Sequence, residues 1–129
     1  FLRASVPSIA LTTDIIVGFP SETDEDFEDT CALVRHVGFS KIHVFPYSKR
    51  EGTPAAARAD QVPPEVKAAR AARLRALSDE LAAADRASRA GTVELALVET
   101  PEVATTESYH EVAAPAGADA GSLVPVHLR

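Results

Sequence analysis

The alternation of apolar and polar residues divides the chain into an α/β part followed by a part rich in short strands. Ile15–Val17 is a β-branched apolar run typical of a strand buried on both faces, and we place the first strand within residues 8–17. Residues 1–7 precede it as the end of a helix or a loop. The next apolar residues recur at helical spacing, which predicts a helix over residues 24–37 that stops at Gly38: Phe27, Cys31, Val34 and Val37.

A second strand is predicted at residues 41–47. Strand, helix and strand of this length form one βαβ unit, so the two strands should be parallel. The segments that follow the two strands, residues 18–22 and 47–50, are then expected at one edge of the sheet. His43 shares a strand face with Phe45 and Tyr47, which favours either a site residue or a hydrogen-bonded structural histidine. Residues 48–63 form a polar loop whose Lys49 and Arg50 either bind an anion or are simply solvated.

A long helix is predicted at residues 64–90, with an apolar stripe that comprises Val66, Leu74, Leu77, Leu81 and Ala84. Its arginines, including Arg70, Arg73 and Arg75, alternate with acidic residues and are assigned to a solvated face. Short strands at residues 92–99, 108–113 and 122–128 predict a small antiparallel barrel or sandwich. We place the division between the two domains at residues 1–85 and 86–129, with the second domain incomplete.

Composition narrows the functional classes. The net charge of −6 argues against a general nucleic-acid coat. Cys31 is the only cysteine, so no internal disulfide can form, which fits a cytoplasmic protein. No apolar stretch approaches the roughly 20 residues that a membrane helix needs. The chain has no methionine, even at position 1, and we expect it to be an excerpt of a longer protein.

The residues themselves point to no catalytic group and no metal site. The chain has neither a phosphate-binding P-loop nor a complete dinucleotide fingerprint, and its four histidines lack zinc-ligand spacing. The acidic residues between 22 and 29 suit the positive end of a helix dipole better than a metal. Cys31 lies on the apolar stripe of its helix and is interpreted as a buried core thiol.

Two longer motifs resemble a known family. Residues 14–23 read D-I-I-V-G-F-P-S-E-T, and residues 45–55 read F-P-Y-S-K-R-E-G-T-P-A. Both are similar to motifs of the radical-SAM methylthiotransferases. The resemblance implies an α/β fold: part of a (β/α) radical-SAM barrel, then a long helix and a small antiparallel β-barrel of the TRAM type.

The resemblance also implies a function. Residues 39–48 look most like the enzymes that 2-methylthiolate N6-threonylcarbamoyladenosine beside the anticodon of tRNA. Relatives that act on isopentenyladenosine in tRNA or on an aspartate of a ribosomal protein are the alternatives within the family, and a non-catalytic RNA-binding fragment is the alternative outside it. The family uses S-adenosylmethionine and two 4Fe–4S clusters. The cluster cysteines are absent from this chain, so we expect it to be inactive alone.

Carried over by position, the resemblance assigns two sets of residues. The first would bind S-adenosylmethionine: Gly18, Phe19, Pro20, Phe45 and Tyr47. The second would contact the tRNA substrate: Ser48, Arg50, Thr53, Arg86, Arg89 and Tyr109. Ser21 stands where the family usually has a glycine, so the resemblance leaves open whether this residue has a positive backbone φ.

Overall fold

A computed structural model describes residues 1–129. The elements, in chain order, are α1 (Leu2–Ser5), β1 (Thr12–Val17), α2 (Asp24–Val37), β2 (Lys41–Pro46), α3 (Pro64–Ser88), β3 (Val93–Val98), β4 (Val103–Thr106), β5 (Glu111–Ala113) and β6 (Leu123–His127). The chain forms two compact units, one of residues 12–81 and one of residues 1–11 with 82–129. We call them the βαβ unit and the sheet unit. The predicted division after residue 85 falls within α3 and stays a prediction.

The βαβ unit contains two parallel strands, as the sequence predicts. Helices cover only one face of the strands, and Ile16 on the other face is 56% exposed, so the expectation that the first strand is buried on both faces is wrong. β1 pairs with β2 from Thr12 opposite Lys41 to Val17 opposite Pro46. Because side chains alternate along a strand, Val17, Ile42 and Val44 point toward the helices. The core of the unit consists of Val17, Phe27, Cys31, Val34, Ile42, Val44, Ala71, Leu74 and Leu77.

Helix α2 begins and ends where the sequence predicts. The Thr23 hydroxyl accepts the amide of Asp26, and the Asp26 carboxylate accepts the amide of Thr23, which completes a capping box. Such an N-cap stabilises a helix by about 0.5–2 kcal/mol. Gly38 ends the helix in the left-handed conformation with φ of 64°. Burial raises the pKa of the Cys31 thiol, which lies in the core as expected.

Helix α3 corrects two sequence expectations. Arg70, assigned to a solvated face, is buried with 7% of its surface exposed, because acidic partners lie at the turn before α2. Ala84, assigned to the apolar stripe, is exposed, since the stripe drifts around the helix after Leu81. The helix ends at Ser88, two residues before the predicted end.

The sheet unit contains an antiparallel sheet with the strand order β5-β4-β3-β6. The mixed α/β class and the small antiparallel sheet are confirmed, and the four strands of the sheet do not close into a barrel. Residues 108–110 form a turn rather than a strand, and β4 was not predicted because its buried position Ala104 gives a weak apolar signal. The inner face is built on Ala96, Val98, Ala104 and Val126.

None of the helices combines the length and the apolar character that crossing a membrane would require.

Candidate functional site

The two segments that follow the parallel strands lie together at one edge of the sheet, as predicted. The amide of Tyr47 donates to the carbonyl of Val17 at 2.8 Å. The rings of Phe19 and Tyr47 pack edge to face with centroids 5.2 Å apart. In parallel α/β folds, ligands bind beyond the carboxyl ends of strands. We call this place, formed by residues 18–22 and 47–50, the strand-end site.

Gly18 occupies a position that only glycine fits. Its φ is +72°, and a Cβ atom there would lie 2.2 Å from Cγ of Lys67. The aliphatic stem of Lys67 therefore passes directly over the backbone at the end of β1. Side chains with a Cβ rarely adopt this backbone conformation, so the φ value favours glycine, and the packing of Lys67 leaves no space for a Cβ.

Lys67 fastens the other strand end as well. Its ammonium donates to the carbonyl of Tyr47 at 3.1 Å and lies 5.6 Å from the centre of the Tyr47 ring. One side chain from α3 thus contacts both strand ends. The Tyr47 hydroxyl is buried without a hydrogen-bond partner, which leaves a polar atom available to a ligand at this place.

The turn after Gly18 shows the backbone conformation of Ser21, which the sequence left open. The amide of Glu22 donates to the carbonyl of Phe19 at 2.9 Å, and Pro20 and Ser21 are the two central residues of the turn. Ser21 has a φ of +78°, the conformation that a type II turn needs at its third residue. The serine thus adopts the conformation usual for glycine. Its amide donates to the carbonyl of Asp60 at 3.0 Å, which anchors the turn to the following loop.

A buried ion pair supports the turn from beneath. Oε1 of Glu22 accepts both the amide of Gly18 at 2.9 Å and the guanidinium of Arg70 at 2.7 Å. Arg70 also donates to Asp24 at 2.7 Å. Burial alone would lower the pKa of Arg70, but the hydrogen bonds with Asp24 and Glu22 outweigh it and raise the pKa. Arg70 therefore stays charged and holds the turn against α3.

The face of β1 and β2 turned away from the helices adds residues that the sequence analysis did not assign. Asp14 lies opposite His43 in the strand register, and Ile16 lies opposite Phe45. All four side chains are exposed. The two-residue periodicity of β1 would have found Asp14 and Ile16, since it places them on the same face as His43. The face combines one carboxylate, one imidazole and two apolar groups.

The loop after β2 places its site candidates differently. Ser48 and Arg50 are exposed, and the Arg50 side chain has no hydrogen bond or ion pair within the chain. The Thr53 hydroxyl donates to the carbonyl of Arg50 at 2.7 Å and accepts the amide of Ala56 at 3.3 Å. The Thr53 hydroxyl, which was expected to contact the substrate, therefore stabilises the loop itself.

The three candidate residues of the sheet unit lie in different environments. Arg89 is mostly buried, and its guanidinium binds the carboxylates of Asp85 at 2.7 Å and Glu94 at 3.2 Å. Its charge is thus already compensated, which gives it a structural role. Arg86 donates to the carbonyl of Glu111 at 2.7 Å. Tyr109 is exposed in the turn between β4 and β5, with φ of +67°.

The residues present fit one of the two expected cofactor types. The aromatic rings and the free Tyr47 hydroxyl suit the adenosine part of a nucleoside cofactor, whereas the space beside Gly18 is filled by the stem of Lys67. An iron–sulfur cluster needs several thiolates, and the chain has the single buried Cys31. No group of three or more His, Cys, Asp or Glu side chains is arranged to hold a metal ion.

Comparison with known proteins gives a consistent set of relatives. The chain is 54% identical over 98 residues to a tRNA-2-methylthio-N(6)-dimethylallyladenosine synthase of Methylococcus capsulatus, which is 76% of this chain and 21% of the relative. The synthase of the same name from Geobacillus thermodenitrificans is 54% identical over 76% of the chain and 19% of the relative. The synthase of Acidothermus cellulolyticus is 50% identical over 75% of this chain, which is 20% of the relative.

The chain thus spans about a fifth of the length of these curated relatives. No family model matches the chain. The similarity amounts to an identity of 50–54% over nearly 100 residues. Over three quarters of its length, the chain is therefore similar to part of the tRNA-2-methylthio-N(6)-dimethylallyladenosine synthases.

Proposed function

We propose that the full-length protein is a radical-SAM methylthiotransferase that adds a methylthio group to N6-dimethylallyladenosine in tRNA. The observation that carries the proposal is the strand-end site, where the two motifs shared with this family meet at the carboxyl ends of parallel strands. The relatives described above carry the dimethylallyladenosine name. They favour this substrate over threonylcarbamoyladenosine, which residues 39–48 had suggested.

Within this proposal, the strand ends bind S-adenosylmethionine. Gly18, Phe19 and Pro20 would lie along its adenosine part, with Phe45 and Tyr47 on the neighbouring strand. When bound, the cofactor supplies the deoxyadenosyl radical and the methyl group, and the two 4Fe–4S clusters are held by cysteines outside this chain. Lys67 and the Glu22–Arg70 pair hold the backbone beneath the cofactor in a fixed position.

The substrate would approach from the exposed side of the same edge. Ile16 and Phe45 offer apolar surface to the dimethylallyl group, which has no charge to pair. Ser48 and Arg50 extend from the loop, and the unpaired Arg50 guanidinium suits a tRNA phosphate, which it can grip with two hydrogen bonds. Thr53 would act indirectly by fixing the loop that carries Arg50.

In the sheet unit, Arg86 and Tyr109 remain candidates for tRNA contact, through phosphate pairing and base stacking. Arg89 would act only by supporting the fold, since its guanidinium is occupied. tRNA would be the macromolecular partner of the full-length protein, and the reaction would take place in the cytoplasm. The 129-residue chain by itself would be inactive because it lacks the cluster cysteines.

Nucleoside analysis of tRNA tests the reaction and the substrate together. The gene for the full-length protein is deleted, total tRNA is digested, and the nucleosides are quantified by mass spectrometry. We expect 2-methylthio-N6-dimethylallyladenosine to disappear and N6-dimethylallyladenosine to accumulate, with both restored by the full-length gene. Unchanged nucleosides would refute the proposal, and a selective loss of the methylthiolated threonylcarbamoyl nucleoside would refute its substrate.

A further inference from the structure

The sheet unit presents an apolar face to solvent. Along β3, the small residue Ala96 and the residue Val98 point inward, whereas two leucines point outward: Leu95 is 49% exposed and Leu97 is 43% exposed. A half-buried antiparallel strand normally turns its large apolar residues inward and polar residues outward. β3 places its largest side chains on the outer face, as in a strand that is covered on both sides.

The neighbouring strand extends this face. Leu97 lies opposite Leu123, which is 67% exposed, and Leu95 lies opposite Pro125. Tyr109, from the turn between β4 and β5, lines the same shallow groove as Leu95, Leu97 and Leu123. Exposed apolar side chains are ordinary when scattered, but a contiguous group marks an interaction surface. We call these residues, Leu95, Leu97, Tyr109, Leu123 and Pro125, the outer sheet face.

The border of the outer sheet face is acidic. Glu99 and Glu107 line the groove, and Glu111 lies opposite Thr105 at the far side of the sheet. All three carboxylates are exposed, and Thr105 donates its hydroxyl to Glu99 at 3.1 Å. Residues 82–129 contain no lysine and three arginines: Arg89 is paired with Asp85 and Glu94, Arg86 donates to the carbonyl of Glu111, and Arg129 is the last residue. This charge repels phosphate, which argues against RNA as the ligand of this face.

A second copy of the chain fits poorly as well. Two copies meeting through this face would bring the same acidic borders together, on a protein with a net charge of −6. The outer sheet face has an apolar centre and an acidic border. A partner protein would complement both if its own apolar surface were bordered by lysine or arginine, because oppositely charged rims attract each other.

We propose that the outer sheet face is a docking surface for a basic, apolar protein partner, a role that would replace the tRNA contact considered above for Tyr109. The aromatic Tyr109 supplies the kind of side chain that is enriched at the centres of such interfaces. Its positive φ holds the ring at the groove rather than in the core.

Binding of designed probes tests the proposal. The first probe is a fluorescein-labelled helical peptide of leucine and lysine with one apolar and one basic face. The second has glutamate in place of every lysine, and the third is a labelled RNA hairpin of about 20 nucleotides, close to the site sizes of small RNA-binding domains. Fluorescence anisotropy is measured with the 129-residue chain. We expect the basic peptide to bind and the acidic peptide to bind at least about tenfold more weakly.

Matched variants locate the binding. Leu97→Glu and Leu33→Glu each add one carboxylate at an exposed leucine, but Leu33 lies on α2 in the other unit. We expect Leu97→Glu to weaken binding of the basic peptide by about tenfold or more, and Leu33→Glu to leave it within about twofold. Leu123→Asn, on the edge strand, repeats the test with less risk to folding, and circular dichroism checks each variant.

Several results would overturn the proposal. Equal effects of Leu97→Glu and Leu33→Glu would show attraction by net charge alone. Hairpin binding that Leu97→Glu abolishes would make the face an RNA site. A dimer in sedimentation that Leu97→Glu dissociates would make the occupant a second copy of the chain.

Discussion

Gly18→Ala is the substitution for which the structure gives the clearest expectation. The new Cβ would lie 2.2 Å from Cγ and 2.8 Å from Cδ of Lys67, at a residue whose φ is +72°. The left-handed backbone costs a non-glycine residue about 1–2 kcal/mol. Forcing an extra carbon into a packed place costs about 1–3 kcal/mol more. We therefore expect a loss of about 2–5 kcal/mol in the free energy of unfolding.

Gly52→Ala is the matched control, because Gly52 lies in the same unit with φ of +81° and has nothing within 4 Å of an added Cβ. It should show the backbone cost alone, about 1–2 kcal/mol. Urea unfolding measures both free energies. In Lys67→Ala the two closest carbons are gone and only Cβ, 3.1 Å from the added methyl, remains, so Gly18→Ala should cost less free energy of unfolding in that background than in the natural chain. If Gly18→Ala costs no more than Gly52→Ala, the packing of Lys67 over the end of β1 is refuted.

Four further outcomes follow from individual contacts. Ser21→Gly should maintain or raise stability, whereas Ser21→Val should lower it by about 1–3 kcal/mol in urea unfolding, since a β-branched residue resists the positive φ. Arg70→Ala should lower the free energy of unfolding by about 3–5 kcal/mol in the same assay, because it leaves the buried Glu22 carboxylate without its cation. Arg73→Ala, at an exposed arginine of the same helix, should lower it clearly less. Burial would raise the pKa of Glu94, but hydrogen bonds from Ser108, Thr106 and Arg89 outweigh it and lower the pKa below 4.5. The stability that this carboxylate contributes is therefore full above that pH and lost as the pH falls through the lowered pKa, and Glu94→Gln should flatten the acid limb of a stability–pH profile. Anaerobic reconstitution of the 129-residue chain with iron and sulfide should give no stable charge-transfer band in the visible spectrum, and a band with stoichiometric iron would contradict this.

The sequence predicted the βαβ unit well because its signals are local. The boundaries of α2 follow from Thr23, Asp26 and Gly38, all of which act within one helical turn. The strand-end site followed from the connection rule for parallel strands, which needs only the order of the elements. The two-residue periodicity of β1 would also have predicted that Asp14 and Ile16 share one face of the strand.

The contacts that hold the site could not be predicted in the same way. Lys67 and Arg70 lie 20 and 48 residues away from their partners Tyr47 and Glu22, and nothing local distinguishes them from the solvated cations of α3. The positive φ of Ser21 is imposed by the turn and by its bond to Asp60, against the preference of serine. The strand β4 was missed because its inward positions are Ala104 and Thr106, which are small or polar and give a weak apolar signal.

Turnover of the full-length enzyme with changes in the loop after β2 tests the central claim, that the strand-end site takes part in methylthiolation. Arg50 is exposed and unpaired, whereas Arg58 of the same loop is paired with Asp60. Arg50→Ala should lower the rate constant for limiting tRNA by roughly ten- to a hundredfold, with Arg50→Lys between it and the natural enzyme. Arg58→Ala should stay within about twofold, and neither should shift the melting temperature appreciably. Normal turnover in Arg50→Ala, or an equal loss in Arg58→Ala, would contradict the assignment of this edge to the reaction site.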